Sequence, residues 1–340
     1  MSELFTHLTV PFLLAMFLAV NMGASGTAPA FSAAYGANVI RQSMIPGLFG
    51  IMVLLGALLF GKQVSLTLGD GLLDHAYFTP FTTSVILFSI AASLLVANLL
   101  CVDQSTSQST VFSIAGAATA VDSLNTEKLL RDIIPTWFIL PLVAFVLVYV
   151  FFKWFIPWLK PYASKRLRNE AQDGVLMRGL LIVSSLYVAV SIGANNVANA
   201  AAPIAALTSN ELGKGAEGNF LPILILSVLV VAPCFAIGSS LMGHKVTSTT
   251  GQGIVEVNTF EAAVIAFTIA TLLLLASVTK GVPTSLVQLA GASFIALALV
   301  KNGRTALWTN PTVRKFFTVW AVAPVFAFVF SFLVLWFFVK

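Results

Sequence analysis

The sequence predicts an all-α polytopic membrane protein of two inverted repeats, each with a broken first helix and a re-entrant hairpin. Three observations carry that expectation. Apolar residues make up 58% of the 340-residue chain against 9% charged, and the mean hydropathy is +0.96, so the groups needed to solvate a globular surface are missing. Uncharged stretches at 42–61, 81–100, 133–152, 221–242 and 316–339 each reach the roughly 20 residues that a helix needs to cross a bilayer. The two halves also carry matching patterns of small and hydroxylated residues in the same order. Cytosolic enzymes, secreted disulfide scaffolds and disordered tails are excluded together.

Taken in order, the segment from Met1 to His7 lacks the positive region of a secretion signal and leads into a run too long to be one, so no cleaved segment is expected. The sharpest change of composition falls at 153–178, which holds six of the 18 Lys and Arg residues (Lys153, Lys160, Lys165, Arg166, Arg168 and Arg178), with Pro157 and Pro161 interrupting helix. This divides the chain into a first transmembrane repeat (1–152), a basic cytoplasmic loop (153–178) and a second transmembrane repeat (179–340). Gly23-Ala24-Ser25 answers Gly193-Ala194-Asn195 at an offset of 170 residues. Gly61, Val64, Thr67, Gly69 and Gly71 match Gly243, Val246, Thr249, Gly251 and Gly253 at 182, and Ala115-Gly116-Ala117 matches Ala290-Gly291-Ala292 at 175. Three colinear matches identify an internal repeat.

In each half a hydrophobic stretch is followed by a polar cluster and a second apolar stretch: 81–100, Ser105–Thr110 and 111–121, then 262–279, Lys280–Ser285 and 286–300. Polar backbone at membrane depth is tolerated where protein or a water-filled cavity surrounds it. Each trio reads as a re-entrant hairpin, the alternative being two ordinary spans joined at the surface. Hairpins add no net crossing, so each half crosses three times and the halves face opposite ways. With the basic loop in the cytoplasm, twelve Lys and Arg lie inside and five outside, in keeping with the positive-inside bias. That bias accounts for the net charge of +5 without a nucleic-acid partner. Cys101 and Cys234 adjoin apolar runs and read as buried thiols. His7, His75 and His244 are scattered, so neither a metal site nor a cofactor is expected.

The chemistry concentrates where long apolar runs are interrupted. In the second half the interruption is Ser191-Ile192-Gly193-Ala194-Asn195-Asn196-Val197-Ala198-Asn199-Ala200, with Pro203 behind it. Asparagines are costly in lipid, and amides beside a helix N-terminus suit an oxyanion; interhelical hydrogen bonding is the plainer alternative. Asp103 and Lys280 stand at the hairpin tips, where an ionisable group costs about 2.5 to 3.5 kcal/mol on insertion scales and calls for a role or a partner. Snorkelling to an interface is the alternative for each.

Ser191 to Ala200 resembles the G-A-N-D-V-A-N-A signature of the inorganic phosphate transporter (PiT) family, which carries it once per half. The family also has a P-V-S-T-T-H-like hairpin segment, and Ser109-Thr110 and Thr284-Ser285 fall where its serine and threonine belong. The resemblance implies a secondary transporter rather than an enzyme, in a bacterial cytoplasmic membrane, with an anion held between hairpin hydroxyls and broken helices. The implied anion-binding residues are Ser25, Ser109, Thr110, Asn195, Asn196, Asn199, Thr284 and Ser285. From their place at the hairpin tips, Asp103 and Lys280 are the candidate coupling or charge-compensating residues. The family's cation-associated aspartate is replaced by Asn196 and by Gly26, and the hairpin histidine by Phe112 and Val287. These departures resemble the family's bacterial sulfate permeases. A site without carboxylates suits sulfate, which only accepts hydrogen bonds, better than phosphate, which keeps a proton. Thiosulfate, molybdate and phosphate stay open, proton coupling is expected in place of sodium, and a homodimer is left open.

Overall fold

The computed structural model describes residues 2–99, 104–159, 174–213, 216–247, 255–308 and 311–339. Among them β pairing is limited to an isolated bridge between Leu73 and Leu124. In chain order the helices are α1 (Ser2–Gly36), α2 (Ile45–Phe60), α3 (Lys62–Leu66), α4 (Pro80–Leu99), α5 (Thr106–Ala120) and α6 (Lys128–Leu159). The second half follows with α7 (Val175–Asn196), α8 (Ala198–Glu211), α9 (Ala216–Thr247), α10 (Thr259–Leu275), α11 (Leu286–Trp308) and α12 (Pro311–Val339). Asp103, Cys101 and most of the basic loop lie outside the described residues; Cys234 is a buried free thiol.

Nine helical segments among the described residues are long and apolar enough to cross a bilayer. Three of them, Pro80–Leu99, Thr259–Lys280 and Leu286–Gly303, are hairpin arms. That leaves α1, α2 and α6 in one half and the α7–α8 run, α9 and α12 in the other. The fourth arm, α5, has 15 residues and so extends only about 22 Å, well short of a hydrocarbon core of roughly 30 Å. Both hairpin turns are buried: Gln104 to Thr110 and Thr284 to Ser285 expose 6% of their surface or less. The structure therefore realises the polytopic all-α class with its hairpins.

Packing partners are exchanged between the halves. Helix α1 packs on α9 as α7 packs on α2; α4 lies along α1 as α10 lies along α7; α5 seats against α12 as α11 seats against α6. At the first two of these seams, glycine lets backbones touch. A Cβ on Gly23 would lie 2.2 Å from the Phe235 carbonyl oxygen, and one on Gly238 would lie 1.8 Å from that of Val20. Across α7 and α2, Gly193 meets the Val53 oxygen at 2.1 Å and Gly56 meets that of Val190 at 2.0 Å. Gly23 and Gly193 are the pair matched at 170 residues, while Gly56 and Gly238 share the 182-residue offset. These glycines are thus points of close helix approach, the device that packs helices where lipid gives no hydrophobic drive.

One expectation is corrected. Helix α1 runs unbroken through Gly23–Pro29, because its polar groups are satisfied within the helix: Ser25 Oγ donates to the Asn21 carbonyl at 3.3 Å and Thr27 Oγ1 to that of Gly23 at 2.7 Å. In the second half the interruption is no more than one turn residue, Val197, between α7 and α8, and its φ of −60° and ψ of −34° remain helical.

The first hairpin is tied to α12 by a buried ring of hydroxyls. Ser89 lies 2.6 Å from Ser113, Ser113 lies 2.7 Å from Ser331, and Ser331 donates to Ser89 at 3.1 Å. Interhelical bonds of this kind contribute about 0.6 to 1.7 kcal/mol in membranes. We expect Ser331→Ala to lower the melting temperature of the detergent-purified protein by a few degrees and to leave transport intact; an unchanged melting curve would show that the ring adds nothing.

Candidate functional site

The two hairpin turns meet at one side chain. Asn195, fully buried near the end of α7, donates from Nδ2 to Ser107 Oγ of the first hairpin at 3.0 Å and to the Thr284 carbonyl of the second at 2.8 Å. Its Oδ1 accepts the Thr284 N–H at 2.9 Å and the Ser277 hydroxyl at 3.3 Å. The neighbouring Asn196 offers Oδ1 to the same amide at 2.7 Å.

Beside this junction lies a cavity of about 20 Å³, enough for a water-sized occupant. Its walls come from Ser25, Gly26 and Pro29 of α1, from Gln104 to Ser107, from Asn196, and from Ser285 to Val287. Among the described residues none that lines it is ionisable. Helices α5 and α11 both begin here. Ser105 caps α5 by accepting the Gln108 N–H at 3.3 Å, and Ser285 caps α11 by accepting the Gln288 N–H at 3.2 Å. Two positive dipole ends and several hydroxyls therefore converge on one space, the arrangement that favours an anion. Pro29 adds an acceptor, since it cannot supply the N–H that a helix would bring to the Ser25 carbonyl.

Pro29 also borders a vestibule of about 650 Å³ that reaches Leu181 and Ser185 of α7 and the residues preceding α10. Among the described residues that line it, Glu256 is the ionisable one. At that end Glu261 completes a capping box with Asn258 and receives Lys301 Nζ at 2.6 Å, while the same ammonium donates to the Glu256 carbonyl at 2.8 Å. The ends of the second hairpin are thereby joined.

Of the residues singled out from sequence, Ser25, Asn196 and Ser285 line the cavity. Asn195 is adjacent but bonded to protein throughout. Thr284 contributes backbone, its hydroxyl donating to the Val282 carbonyl at 3.0 Å. Ser109 and Thr110 do not reach the cavity: Ser109 Oγ accepts Gln104 Nε2 at 2.7 Å and Thr110 donates to the Thr106 carbonyl at 2.9 Å. Helix α5 starts a turn earlier than expected, so Ser105, Thr106 and Ser107 take the place given to them. Lys280 is exposed and lines neither space, and so does not face an occupant of the cavity. Asn199 is fully buried with neither amide atom partnered.

The cap serines stand in matching sequence settings. Ser105-Thr106-Ser107-Gln108 and Ser285-Leu286-Val287-Gln288 are equivalent at an offset of 180 residues, and the shared serine, two residues and glutamine were the overlooked signal. Gly116 packs against the Phe328 carbonyl and Gly291 against the Trp320 ring, so the Ala-Gly-Ala triplets do not correspond. Both glutamines have a buried Oε1 without a partner.

A model of the phosphate transporter family matches residues 22–331. The chain belongs to the phosphate transporter family. The sulfate permease CysP of Bacillus subtilis (strain 168) is 30% identical over 330 residues, covering 96% of this chain and 87% of that protein. A relative from Pyrococcus furiosus, 24% identical over 368 residues with 87% and 88% coverage, carries a phosphate-permease name. Among solved structures, one described as the sodium-dependent phosphate transporter superposes with a TM-score of 0.83 at 20% identity, covering 98% of each chain. That likeness establishes the fold. As a member of the phosphate transporter family the chain is an integral, multi-pass membrane transporter of inorganic anions and not an enzyme.

Proposed function

We propose that the chain is a secondary active permease that imports sulfate in preference to phosphate, by alternating access between two inverted repeats. The observation that carries the substrate is the cavity's composition: among the described residues it offers hydroxyls, two amides (Gln104 and Asn196) and two helix N-termini, with no carboxylate. Sulfate asks only for donors, and the identity with a sulfate permease supports the same reading. The exchanged packing of the halves supports the inverted repeat. The vestibule lies at the end of the molecule that the charge bias assigns to the cytoplasm, so the described state is the inward-facing one.

A phosphate reading has one specific support. The Ser25 carbonyl, left without the N–H that Pro29 cannot supply, is an acceptor beside the cavity that a protonated oxyanion could satisfy. Competition decides between the two. In proteoliposomes we expect unlabelled sulfate to inhibit labelled sulfate uptake at least tenfold more strongly than phosphate, with thiosulfate and molybdate in between. Equal inhibition would remove the sulfate preference, and stronger inhibition by phosphate would reverse it.

Import of a dianion into an electrically negative interior costs about 2.3 kcal/mol per charge for each 100 mV, so cations must accompany it. We propose protons, with Asp103 as their carrier. An inward proton gradient should then drive accumulation and a sodium gradient alone should not.

A further inference from the structure

The cavity and the vestibule are two stretches of one passage. Along α1 the cavity is lined by Ser25, Gly26 and Pro29 and the vestibule by Pro29, Ala33 and Gly36, steps of three and four residues that keep to one face of a helix. Along α11 the cavity is lined by Val287 and the vestibule by Ala290 and Phe294, again at that spacing. The two spaces therefore lie end to end, with Pro29 at their junction. Their walls differ in chemistry. The cavity offers the hydroxyls of Ser105, Thr106, Ser107 and Ser285, and among the described residues none that lines it is ionisable. Asn196, 9% exposed and on the cavity wall, spends its Oδ1 on Asn195, so its N–H groups are the part of the amide left for an occupant. The vestibule is walled mainly by apolar side chains, Leu181, Ile265 and Ile269 adding to those of α1 and α11. A hydrated inorganic dianion gains nothing from such walls. A volume of about 650 Å³ falls among sites that enclose organic molecules, roughly 300 to 1,000 Å³.

We propose that the two spaces form one composite site for an oxyanion with an apolar tail, an alkanesulfonate, its sulfonate in the cavity and its chain along the vestibule. Sulfonate oxygens, like those of sulfate, only accept hydrogen bonds. The charge is one instead of two. Because the idealised cost of burying an ion rises with the square of its charge, a sulfonate needs about a quarter of the compensation in a site of neutral donors. From Pro29 to Gly36 the face of α1 extends about 10 Å, room for an extended hexyl chain. This rests on reading the cavity as the oxyanion site, to which it adds a second class of ligand.

Isothermal titration calorimetry of the full-length protein in lipid nanodiscs, with empty nanodiscs as the blank, compares sulfate with methane-, butane- and hexanesulfonate. Affinity should rise about two- to fourfold for each added methylene, so hexanesulfonate should bind roughly thirtyfold or more tighter than methanesulfonate and should displace sulfate. Hexanol, which has the chain without the oxyanion, should not displace sulfate. Ala33→Leu places its added carbons in the vestibule and should cut the gain from methane- to hexanesulfonate by about fivefold or more; Ala266→Leu makes the same test from α10 should that variant not fold. Affinity independent of chain length, or hexanol binding as tightly as hexanesulfonate, overturns the composite site. If chain length has no effect while sulfate and methanesulfonate still compete, the oxyanion reading stands without it. If sulfate fails to bind while the chain-length series holds, the sulfate reading falls and the composite site stands.

Discussion

Valine in place of Gly193 is expected to abolish the folded protein. The α7 and α2 backbones meet at this point, and a Cβ would stand 2.1 Å from the Val53 carbonyl oxygen, a separation that only movement of a whole helix can relieve. Overpacking a core costs about 1 to 3 kcal/mol where side chains can yield; here the obstacle is main chain, so the upper end or more is expected. The same outcome is predicted at Gly23, Gly56 and Gly238, whose Cβ atoms would lie 1.8 to 2.2 Å from carbonyl oxygens. Fluorescence-detected size-exclusion chromatography of tagged variants provides the measurement. Gly36→Ala and Gly179→Ala, where nothing lies within 4 Å of the added carbon, serve as controls expected to stay within about 0.5 kcal/mol of the parent. Monodisperse Gly193→Val at wild-type levels would show that the seam between the halves is loose.

The second large effect is expected at the cavity. Ser105 and Ser285 each cap a hairpin helix and line the space between the tips. A hydrogen bond to a charged group contributes about 1.5 to 3 kcal/mol, so the Ser105→Ala/Ser285→Ala double variant should weaken sulfate binding by roughly 10² to 10⁴-fold. Loss of each cap also costs about 1 kcal/mol of stability, and melting temperatures recorded in parallel separate the two effects. Ser109→Ala/Thr110→Ala, which removes hydroxyls bonded within their own hairpin, should shift affinity less than threefold. The opposite order of effects would return the site to Ser109 and Thr110.

Spans and hairpins were legible in sequence because they rest on composition, and composition is what a bilayer selects. The position of the site was legible for a similar reason: Asn195, Asn196 and the hydroxyl clusters are polar groups with no place in lipid. What could not be read was register within the site. Ser105 and Ser109 lie one helical turn apart in a run of serine, threonine and glutamine from 104 to 110, and only the start of α5 decides which of them caps and which points into its own hairpin. Asn195 drew attention as an amide able to bind an anion, but whether an amide serves an anion or a backbone depends on a neighbour 89 residues away. The continuity of α1 was hidden likewise, since Ser25 and Thr27 can satisfy themselves on the turn below.

The ring of Ser89, Ser113 and Ser331 has a consequence for biogenesis. Ser113 and Ser331 are 218 residues apart, so at about 5 to 20 residues per second the ribosome takes on the order of 10 to 40 s to make the second after the first. Through that interval the first hairpin sits in the membrane without the helix that completes its hydroxyl ring. It must wait as a half-built pocket, exposed to insertion chaperones and membrane proteases. Ribosome pausing between α5 and α12 would lengthen that exposure, and the yield of this protein should depend on codon usage in that interval.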